Sequence, residues 1–290
     1  MLIAQISDLH VHDAPDAATD ALVDANASLA RAVEYLNELH PRPDVVVATG
    51  DLTDNGAPAE YSRLRDLLAL LEMPVFLVPG NHDELAPLLD AFPDHAYLPR
   101  TGGPLHYVID DHPVRLVGID TTHPGHHDGE LGADELRWLD DTLGARPGAP
   151  TLVFMHHPPF DTGVWWMDCV GIPADERRAF AEVIGRHPQV RHVVSGHIHR
   201  PVQTLWGTTM VSVAPSTAHQ VGLDLEAGGA MRLTAEPPMI TLLDWTDERV
   251  NLHTTSFAET AAFDIDTVME PSAKVTLLTR PPAPKGGALG

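Results

Sequence analysis

The stretch VVSGHIHRP, residues 193–201, joins an apolar run to two histidines across a single glycine. The run is short and rich in valine, which is typical of a strand buried on both faces. It stops at Gly196, and His197 and His199 follow one residue apart. If these two imidazoles bind metal ions, other strand ends in the chain must supply the remaining ligands.

Short apolar runs of the same kind recur along the chain, separated by segments with helical spacing. The first such segment carries Leu22, Leu29, Val33 and Leu36. The apolar runs are residues 2–6, 44–49, 74–79, 114–119, 151–155 and 190–195. Strands rich in valine and isoleucine that alternate with helices predict a layered α/β fold.

The sequence changes character after His199. VQTLWGTTMVSVA reads as a hairpin that turns near Trp206 and Gly207, and MITLLDWTDERVNLHTTSF as a second one that turns at Thr246 and Asp247. We expect residues 1–260 to form one domain, in which residues 200–260 contribute either a cap or an oligomer interface. Residues 261–290 end in the Pro/Gly-rich segment RPPAPKGGALG, which predicts a partly disordered C-terminal extension.

Charge and composition exclude several classes of partner. The net charge of −23 predicts a surface that repels nucleic acid polymers and anionic membranes. The N-terminal MLIAQISDLH lacks the features of a secretory signal, and no apolar run reaches membrane-spanning length, so we expect a cytoplasmic protein. A single cysteine excludes an intrachain disulfide and leaves any metal to His, Asp or Asn ligands.

Polar side chains follow five of the predicted strands, at the point where each strand ends. They are Asp8 and His10; Asp51 and Asp54; Asn81, His82 and Asp83; His156 and His157; and His197 and His199. Any one of these groups alone is most often a turn former or a helix cap. Parallel strands bring their carboxyl ends together, and carboxylates gathered there without cations would raise one another's pKa values. The five groups together therefore predict a metal site.

These five blocks, in this order, resemble the signature of the calcineurin-like metallophosphoesterases. The resemblance covers residues 2–200 by motif and extends more loosely to about residue 257. It implies an α/β fold of four layers, an αββα sandwich, and a metal-dependent enzyme with two metal ions. One ion would be held by Asp8, His10 and His199, the other by Asn81, His156 and His197, and Asp51 would bridge the two.

The resemblance also implies the chemistry of the site. Carboxylate and imidazole ligands without thiolate suit a divalent or mixed-valence pair of Mn, Fe, Co or Zn ions. Such a pair can share the hydroxide that attacks a phosphodiester. His82 would contact the phosphate or donate a proton to the leaving oxygen, and Asp54 would orient His82. Asp83 and His157 either support the ligands or only stabilise turns and core.

Two features indicate the substrate class. GDLTDNG carries Asn55 where protein Ser/Thr phosphatases have an arginine that grips a phosphomonoester, which favours a diester. Residues 124–131, 156–168 and 215–221 resemble the bacterial class III cyclic-nucleotide phosphodiesterases and the related glycerophosphodiesterases. This resemblance implies contacts of the substrate phosphate with Asn81, His82 and His219, and it places 3′,5′-cyclic nucleotides ahead of glycerophosphodiesters.

Several alternatives stay open at the level of sequence. Trp165 and Trp166 either stack on a nucleobase or pack a loop or subunit interface, and His123, His126 and His127 either rim the site or form a surface loop. A broad-specificity phosphoesterase and a non-catalytic binding module compete with the phosphodiesterase. Binding modules of this fold typically lose metal ligands, whereas here every ligand position is filled. Relatives imply a homo-oligomer, a dimer or larger.

Overall fold

The computed structural model describes residues 1–14, 21–100 and 102–258. The strands are β1 (Leu2–Ile6), β2 (Val45–Thr49), β3 (Val75–Val78), β4 (Tyr107–Ile109), β5 (Arg115–Gly118), β6 (Thr151–Phe154), β7 (Val190–Ser195), β8 (Val202–Trp206), β9 (Thr209–Val213), β10 (Gln220–Val221), β11 (Leu233–Thr234), β12 (Met239–Trp245) and β13 (Val250–Ser256). The helices are α1 (Ala25–Glu38), α2 (Pro58–Leu68), α3 (Leu85–Ala91), α4 (Ala133–Gly144), α5 (Trp165–Asp168) and α6 (Ala174–Arg186).

The strands form two large sheets and one short ribbon. The first sheet has the order β13-β12-β1-β2-β3, in which β1, β2 and β3 run parallel. The second has the order β4-β5-β6-β7-β9-β8, in which β5, β6, β7 and β9 run parallel. β10 and β11 pair only with each other. Of these seven parallel strands, all except β9 end just before one of the five polar blocks of the sequence or before the loop after β5.

The two sheets pack face to face with helices outside, which confirms the predicted four-layer αββα sandwich. Strand β6 shows this arrangement most directly. Its Leu152 and Phe154 join the core between the sheets, whereas Val153 and the following Met155 pack with residues of α4 and α6. Because alternate side chains of a strand point to opposite faces, both faces of β6 are covered. The apolar run predicted this double burial.

The described elements differ from the sequence-based expectations in a few places. Helix α1 begins after Asp24, whose carboxylate accepts a hydrogen bond from Ala27 N, so Leu22 lies outside the helix. The short elements β4, α5, β10 and β11 were not expected, because two to four residues show no periodicity. Both hairpins are confirmed, with Trp206 paired to Thr209 and Trp245 to Val250.

The two hairpins belong to the sheets and do not form a separate layer. β12 pairs with β1, and β9 pairs with β7, so each hairpin extends one of the two sheets. The predicted C-terminal extension, residues 261–290, lies outside the described residues. Within the described ranges, no helix has both the length and the apolar content needed to cross a membrane.

Candidate metal centre

Three glycines at the strand exits let separate backbone segments meet. At Gly196, which follows β7, a Cβ atom would overlap Ser7 Oγ and lie 2.8 Å from Thr49 O and 2.9 Å from Asp8 Oδ2. At Gly80 it would overlap the backbone and carboxylate of Asp51, and at Gly50 the imidazole of His156. Only glycine permits so close an approach. These three glycines therefore lie directly against the candidate ligands or the segments that carry them.

The backbone is strained at the candidate ligands themselves. Among the described residues, five non-glycine residues have positive φ, between 46° and 72°. They are Asp8, His10, Asp51, His197 and His199. Each such residue costs on the order of 1–3 kcal/mol, and strain of this kind concentrates at functional sites. All five belong to the predicted ligand set.

The structure brings all seven predicted ligands together. On one side of the cluster, His199 Nε2 lies 3.2 Å from His10 Nε2 and 3.4 Å from Asp8 Oδ1. On the other side, His156 Nε2 lies 3.1 Å from Asn81 Oδ1, and the His197 ring centroid is 5.1 Å from that of His156.

Asp51 lies between these two groups, with one carboxylate oxygen towards each. Its Oδ1 is 3.3 Å from His156 Nε2, and its Oδ2 is 3.8 Å from His10 Nε2. A carboxylate in this position is placed to bridge two cations.

Hydrogen bonds orient three of the imidazoles. His156 Nδ1 donates to Thr49 O at 2.8 Å, His199 Nδ1 donates to His219 O at 2.9 Å, and His10 Nδ1 donates to Asp54 Oδ1 at 3.2 Å. A proton on Nδ1 leaves the Nε2 lone pair for a metal ion, which is the usual arrangement around metal-binding histidines.

The donor atoms fit a pair of cations. With both Nδ1 atoms engaged as donors, the Nε2 lone pairs of His10 and His199 oppose each other at 3.2 Å, a contact that is repulsive without a proton or a cation between them. His197 Nε2 and Asp8 Oδ2 are buried and have no hydrogen-bond partner among the described residues. Buried polar atoms are rarely left unpaired, so these atoms are best explained as metal ligands.

Burial lowers the pKa of two of the four ligand histidines, whereas nearby carboxylates outweigh burial and raise the pKa of His10 and His156. It lowers the pKa of His197 well below the ordinary value, and together with the neighbouring His10 it lowers the pKa of His199 to about 3. Neutral imidazole is the form that binds a metal ion. His156 differs, because the attraction of Asp51 outweighs the effect of burial and raises its pKa to about 9.

The two buried carboxylates behave differently. Burial, with a contribution from the charge of Asp51, raises the pKa of Asp8 to about 6. For Asp51, burial also acts to raise the pKa, but the attraction of His156 and His82 holds it well below the ordinary value. The expected repulsion between these two carboxylates therefore contributes to the raised pKa of Asp8 and does not raise that of Asp51.

His82 lies beside the cluster and is held by two backbone contacts. Its backbone N–H donates to Asp51 Oδ1 at 3.0 Å, and its Nδ1 donates to the backbone oxygen of Asp54 at 2.8 Å. The Asp54 carboxylate instead faces His10. Asp54 thus contacts His82 through its backbone carbonyl and His10 through its carboxylate, and its role in orienting His82 stays a prediction.

Asp83 connects two of the strand exits. Its carboxylate accepts hydrogen bonds from Leu52 N and Thr53 N after β2, and from Gly80 N after β3, all within 3.1 Å. It also accepts from Tyr61 Oη at 2.9 Å. Burial raises its pKa. Asp83 therefore supports Asp51 and Asn81 by holding their loops together.

His157 supports the neighbouring His197 ring. Its Nδ1 lies 2.9 Å from Thr121 Oγ1, and its ring centroid is 4.6 Å from that of His197. Burial, together with the charge of His156, lowers its pKa to about 3.

A cavity of about 490 Å³ opens onto the cluster. Its polar wall includes His82 and His219 along with five of the seven predicted ligands, and the His219 ring centroid is 4.9 Å from that of His199. Its apolar wall is formed by Trp166, Met167, Val170, Val221, Met231 and Leu233. Trp165 is 45% exposed and is not among the lining residues, so its place at the substrate stays a prediction.

Sequence reasoning missed the part of this cavity that follows His219. β10 and β11 carry Val221 and Leu233 into the wall, and Arg232 adds a guanidinium group. Asn55, in contrast, donates from Nδ2 to Glu60 Oε1 at 3.0 Å, near the start of α2. No cation stands at position 55, and the arginine among the described lining residues is Arg232, next to β11. Two-residue strands carry no periodicity that could have revealed this.

Comparisons with known proteins agree with the geometry. Residues 1–201 match the family model described as calcineurin-like phosphoesterase. The "Probable glycerophosphodiester phosphodiesterase GpdQ" of Arcobacter nitrofigilis is 35% identical over 249 residues, 86% of this chain and 90% of the relative. A cAMP/cGMP dual specificity phosphodiesterase of Mycobacterium tuberculosis is 35% identical over 236 residues, 79% of this chain and 71% of the relative.

The fold also matches a solved structure. The crystal structure of a dimetal phosphatase from Danio rerio superposes with a TM-score of 0.65, covering 89% of this chain and 96% of that chain. At 14% sequence identity, this likeness concerns the fold alone.

Proposed function

The chain belongs to the calcineurin-like phosphoesterase family, and from this premise we propose that it hydrolyses small phosphodiesters, with 3′,5′-cyclic nucleotides as its preferred substrates. It is a metal-dependent phosphodiesterase with a binuclear centre of divalent ions. The observation that carries the substrate proposal is the two-sided cavity, which has the donor cluster on one wall and Trp166 with five aliphatic or thioether side chains on the other. A nucleotide has the same division into an anionic phosphodiester and a flat apolar base.

We propose that Asp8, His10 and His199 hold one ion, that Asn81, His156 and His197 hold the other, and that Asp51 bridges them. When bound, two such ions polarise the phosphoryl oxygens and activate the attacking water. Oxygen and nitrogen donors without thiolate support Mn, Fe, Zn or Co at both positions. Each of the three oriented histidines presents Nε2 to the site, so these three imidazoles need not rotate when ions bind.

His82 is the residue best placed to assist the leaving group. Its Nδ1 is occupied by the Asp54 carbonyl, which leaves Nε2 as the nitrogen available to substrate in the cavity. In its protonated form Nε2 can donate to the phosphate or to the leaving oxygen. An alkoxide leaves poorly, and a positioned acid contributes roughly 10²–10⁴-fold to such a step.

His82→Ala is expected to lower kcat for 3′,5′-cAMP by about 10²-fold or more, and that for bis-p-nitrophenyl phosphate by less than about tenfold. The nitrophenolate needs no proton to leave, so the aryl diester serves as the internal control. Steady-state kinetics on the two substrates measure the difference. Equal losses on both would count against a proton-donor role.

Trp165 and Trp166 provide a matched pair of variants that tests whether the apolar wall of the cavity binds the base. Trp166→Ala is expected to raise the KM for 3′,5′-cAMP by about tenfold, since stacking on an aromatic ring contributes about 1–3 kcal/mol per base. Trp165→Ala should leave that KM near the wild-type value, because Trp165 lies outside the cavity lining. Unchanged KM in Trp166→Ala, or equal increases in both variants, would refute base stacking on this wall.

A substrate panel on the purified, Mn²⁺-loaded protein tests the proposed function. It compares 3′,5′-cAMP, 2′,3′-cAMP and glycerophosphoethanolamine, with p-nitrophenyl phosphate and its bis-ester as class markers. The proposal expects the highest kcat/KM for 3′,5′-cAMP and a clear preference for the bis-ester. Efficient hydrolysis of the monoester would indicate a broad phosphoesterase, and absence of activity with no bound metal would indicate a binding module.

A glycerophosphodiesterase is the second candidate, because a relative of similar identity bears that name. Arg232 in the cavity lining partly supports this activity, since a guanidinium group there could bind a polar or anionic head group. Preferred hydrolysis of glycerophosphoethanolamine in the panel, with a KM unaffected by Trp166→Ala, would identify this activity.

We further propose that the protein acts in the cytoplasm as a dimer or larger homo-oligomer, with neither nucleic acid polymers nor membranes as partners. Its acidic composition supports the exclusion of polyanions. The exposed Leu223, Leu225 and Met231 around the β10–β11 ribbon support association between copies. Light scattering coupled to size-exclusion chromatography measures the assembly state.

A further inference from the structure

A second group of candidate ligands lies in the loop between β5 and α4, outside the proposed binuclear centre. His123, Pro124, Gly125 and His126 form a β-turn, in which His126 N donates to His123 O at 2.9 Å and Gly125 has a φ of 81°. Proline followed by a glycine with positive φ is the signature of a type II turn. The turn stacks the two imidazoles with centroids 4.0 Å apart and planes 6° apart.

Asp128 completes this group. Its Oδ1 lies 3.4 Å from His123 Nδ1 and 3.7 Å from His126 Nδ1. Both distances exceed those of a normal hydrogen bond. A tetrahedral zinc ion with bonds of about 2.0–2.1 Å requires ligand atoms about 3.4 Å apart, which the contact with His123 matches and the contact with His126 slightly exceeds. Because a metal ion lies in the plane of the imidazole that binds it, one of the two stacked rings has to rotate before both can bind the same ion.

The loop that carries these residues is anchored at its base. Thr122 and Gly129 form an antiparallel bridge, and Glu130 N donates to Thr121 O at 3.1 Å. The turn and the bridge together fix the backbone positions of the three residues before any ligand binds. Such preorganisation reduces the entropic cost of binding an ion.

The surroundings attract cations. His123 and His126 line a cavity of about 610 Å³, next to the proposed centre. Its lining includes the carboxylates of Glu84, Asp120, Glu130 and Glu135, and the lining residues that the structure describes include no lysine or arginine. A concave surface of one charge raises the local concentration of the opposite ion.

This cavity also touches the binuclear centre. Asn81 lines both cavities, and its Nδ2 lies 3.2 Å from Nδ1 of His127, the residue between the two groups of ligands. An ion held by the loop would therefore border a cavity that shares Asn81 with the binuclear centre.

We propose that His123, His126 and Asp128 form an accessory site for a third divalent transition ion, of the zinc class. Two imidazoles and one carboxylate are a common zinc ligand set, and three protein ligands leave one position open towards the cavity. The proposal is independent of the substrate of the binuclear centre, since it concerns only ion binding by the loop.

Zinc binding to the untagged, metal-free full chain tests the accessory site. Calorimetric titration with Zn²⁺ and elemental analysis after gel filtration both measure the stoichiometry. Wild-type protein is expected to bind three equivalents. His126→Ala and His123→Ala should each lose one equivalent, or bind it at least about tenfold more weakly. His253→Ala, which removes an exposed histidine of β13, is the matched control and should keep all three.

Asp51→Asn separates this proposal from the binuclear centre. That variant removes a ligand of the binuclear centre and should still bind one zinc ion at the loop site. Metal binding at the two sites is therefore measured independently. A wild-type protein that binds no third equivalent overturns the accessory site. A third equivalent that persists unchanged in His123→Ala and His126→Ala overturns it as well.

Discussion

Asp51→Asn is expected to lower kcat for bis-p-nitrophenyl phosphate by about 10³-fold or more, and to reduce the ions bound by the binuclear centre. Asp51 is the one carboxylate with an oxygen towards each half of the cluster, 3.3 Å from His156 Nε2 and 3.8 Å from His10 Nε2. Its loss removes a negative ligand from both ions at once. Metal ions contribute several kcal/mol to charge stabilisation in the transition state, and about 1.4 kcal/mol corresponds to tenfold in rate.

The matched control for this variant is Asp94→Asn, the same chemical change at an exposed position. Metal content by elemental analysis and activity in the presence of saturating Mn²⁺ are measured together. An Asp51→Asn protein that retains both ions and stays within about tenfold of wild-type activity would refute the bridging role.

Gly196→Ala is expected to abolish tight metal binding and to lower kcat/KM by about 10²-fold or more. The added Cβ would overlap Ser7 Oγ and approach Thr49 O and Asp8 Oδ2 within 2.9 Å. Relief requires movement of the segment that carries Asp8 or of the one that carries His197. Overpacking of this kind also costs typically about 1–3 kcal/mol of folding stability, so Tm should fall.

Gly148→Ala is the control, because no atom lies within 4 Å of a Cβ at that exposed loop position. Adding Ser7→Ala to Gly196→Ala removes one of the three overlaps and should restore part of the Tm and of the metal affinity. Wild-type Tm and metal content in Gly196→Ala would show that the close approach of the two loops is unimportant.

The candidate site could be located from sequence because each ligand block is a local signal. A Val-rich run followed by Asp, Asn or His, often across glycine, marks the carboxyl end of a strand. Parallel strands bring these ends to one edge, so separate blocks such as those at Asp8 and His197 could be expected to meet. The resemblance to metallophosphoesterases then implied which residues share an ion.

Other parts of the site were beyond prediction because they depend on the direction of individual groups. Trp165 and Trp166 are neighbours in the four-residue helix α5, and successive helical residues point about 100° apart. Both residues are tryptophans, so residue type does not distinguish them, and only the packing of α5 shows that Trp166 faces the cavity. At Asp54, likewise, the turn decides that the carbonyl contacts His82 and the carboxylate contacts His10.

The sequence by itself determined the α/β class, the order of the ligand blocks and the oxygen and nitrogen chemistry of the centre, because periodicity and residue type are local properties of the chain. Only the tertiary structure decided how these groups meet. The tertiary structure produces the positive φ values at five ligands, the apolar wall completed by residues 221–233, and the alignment of Asp128 with two stacked histidines. Each depends on contacts between segments folded against one another, where small differences in backbone direction determine which atoms face the same space.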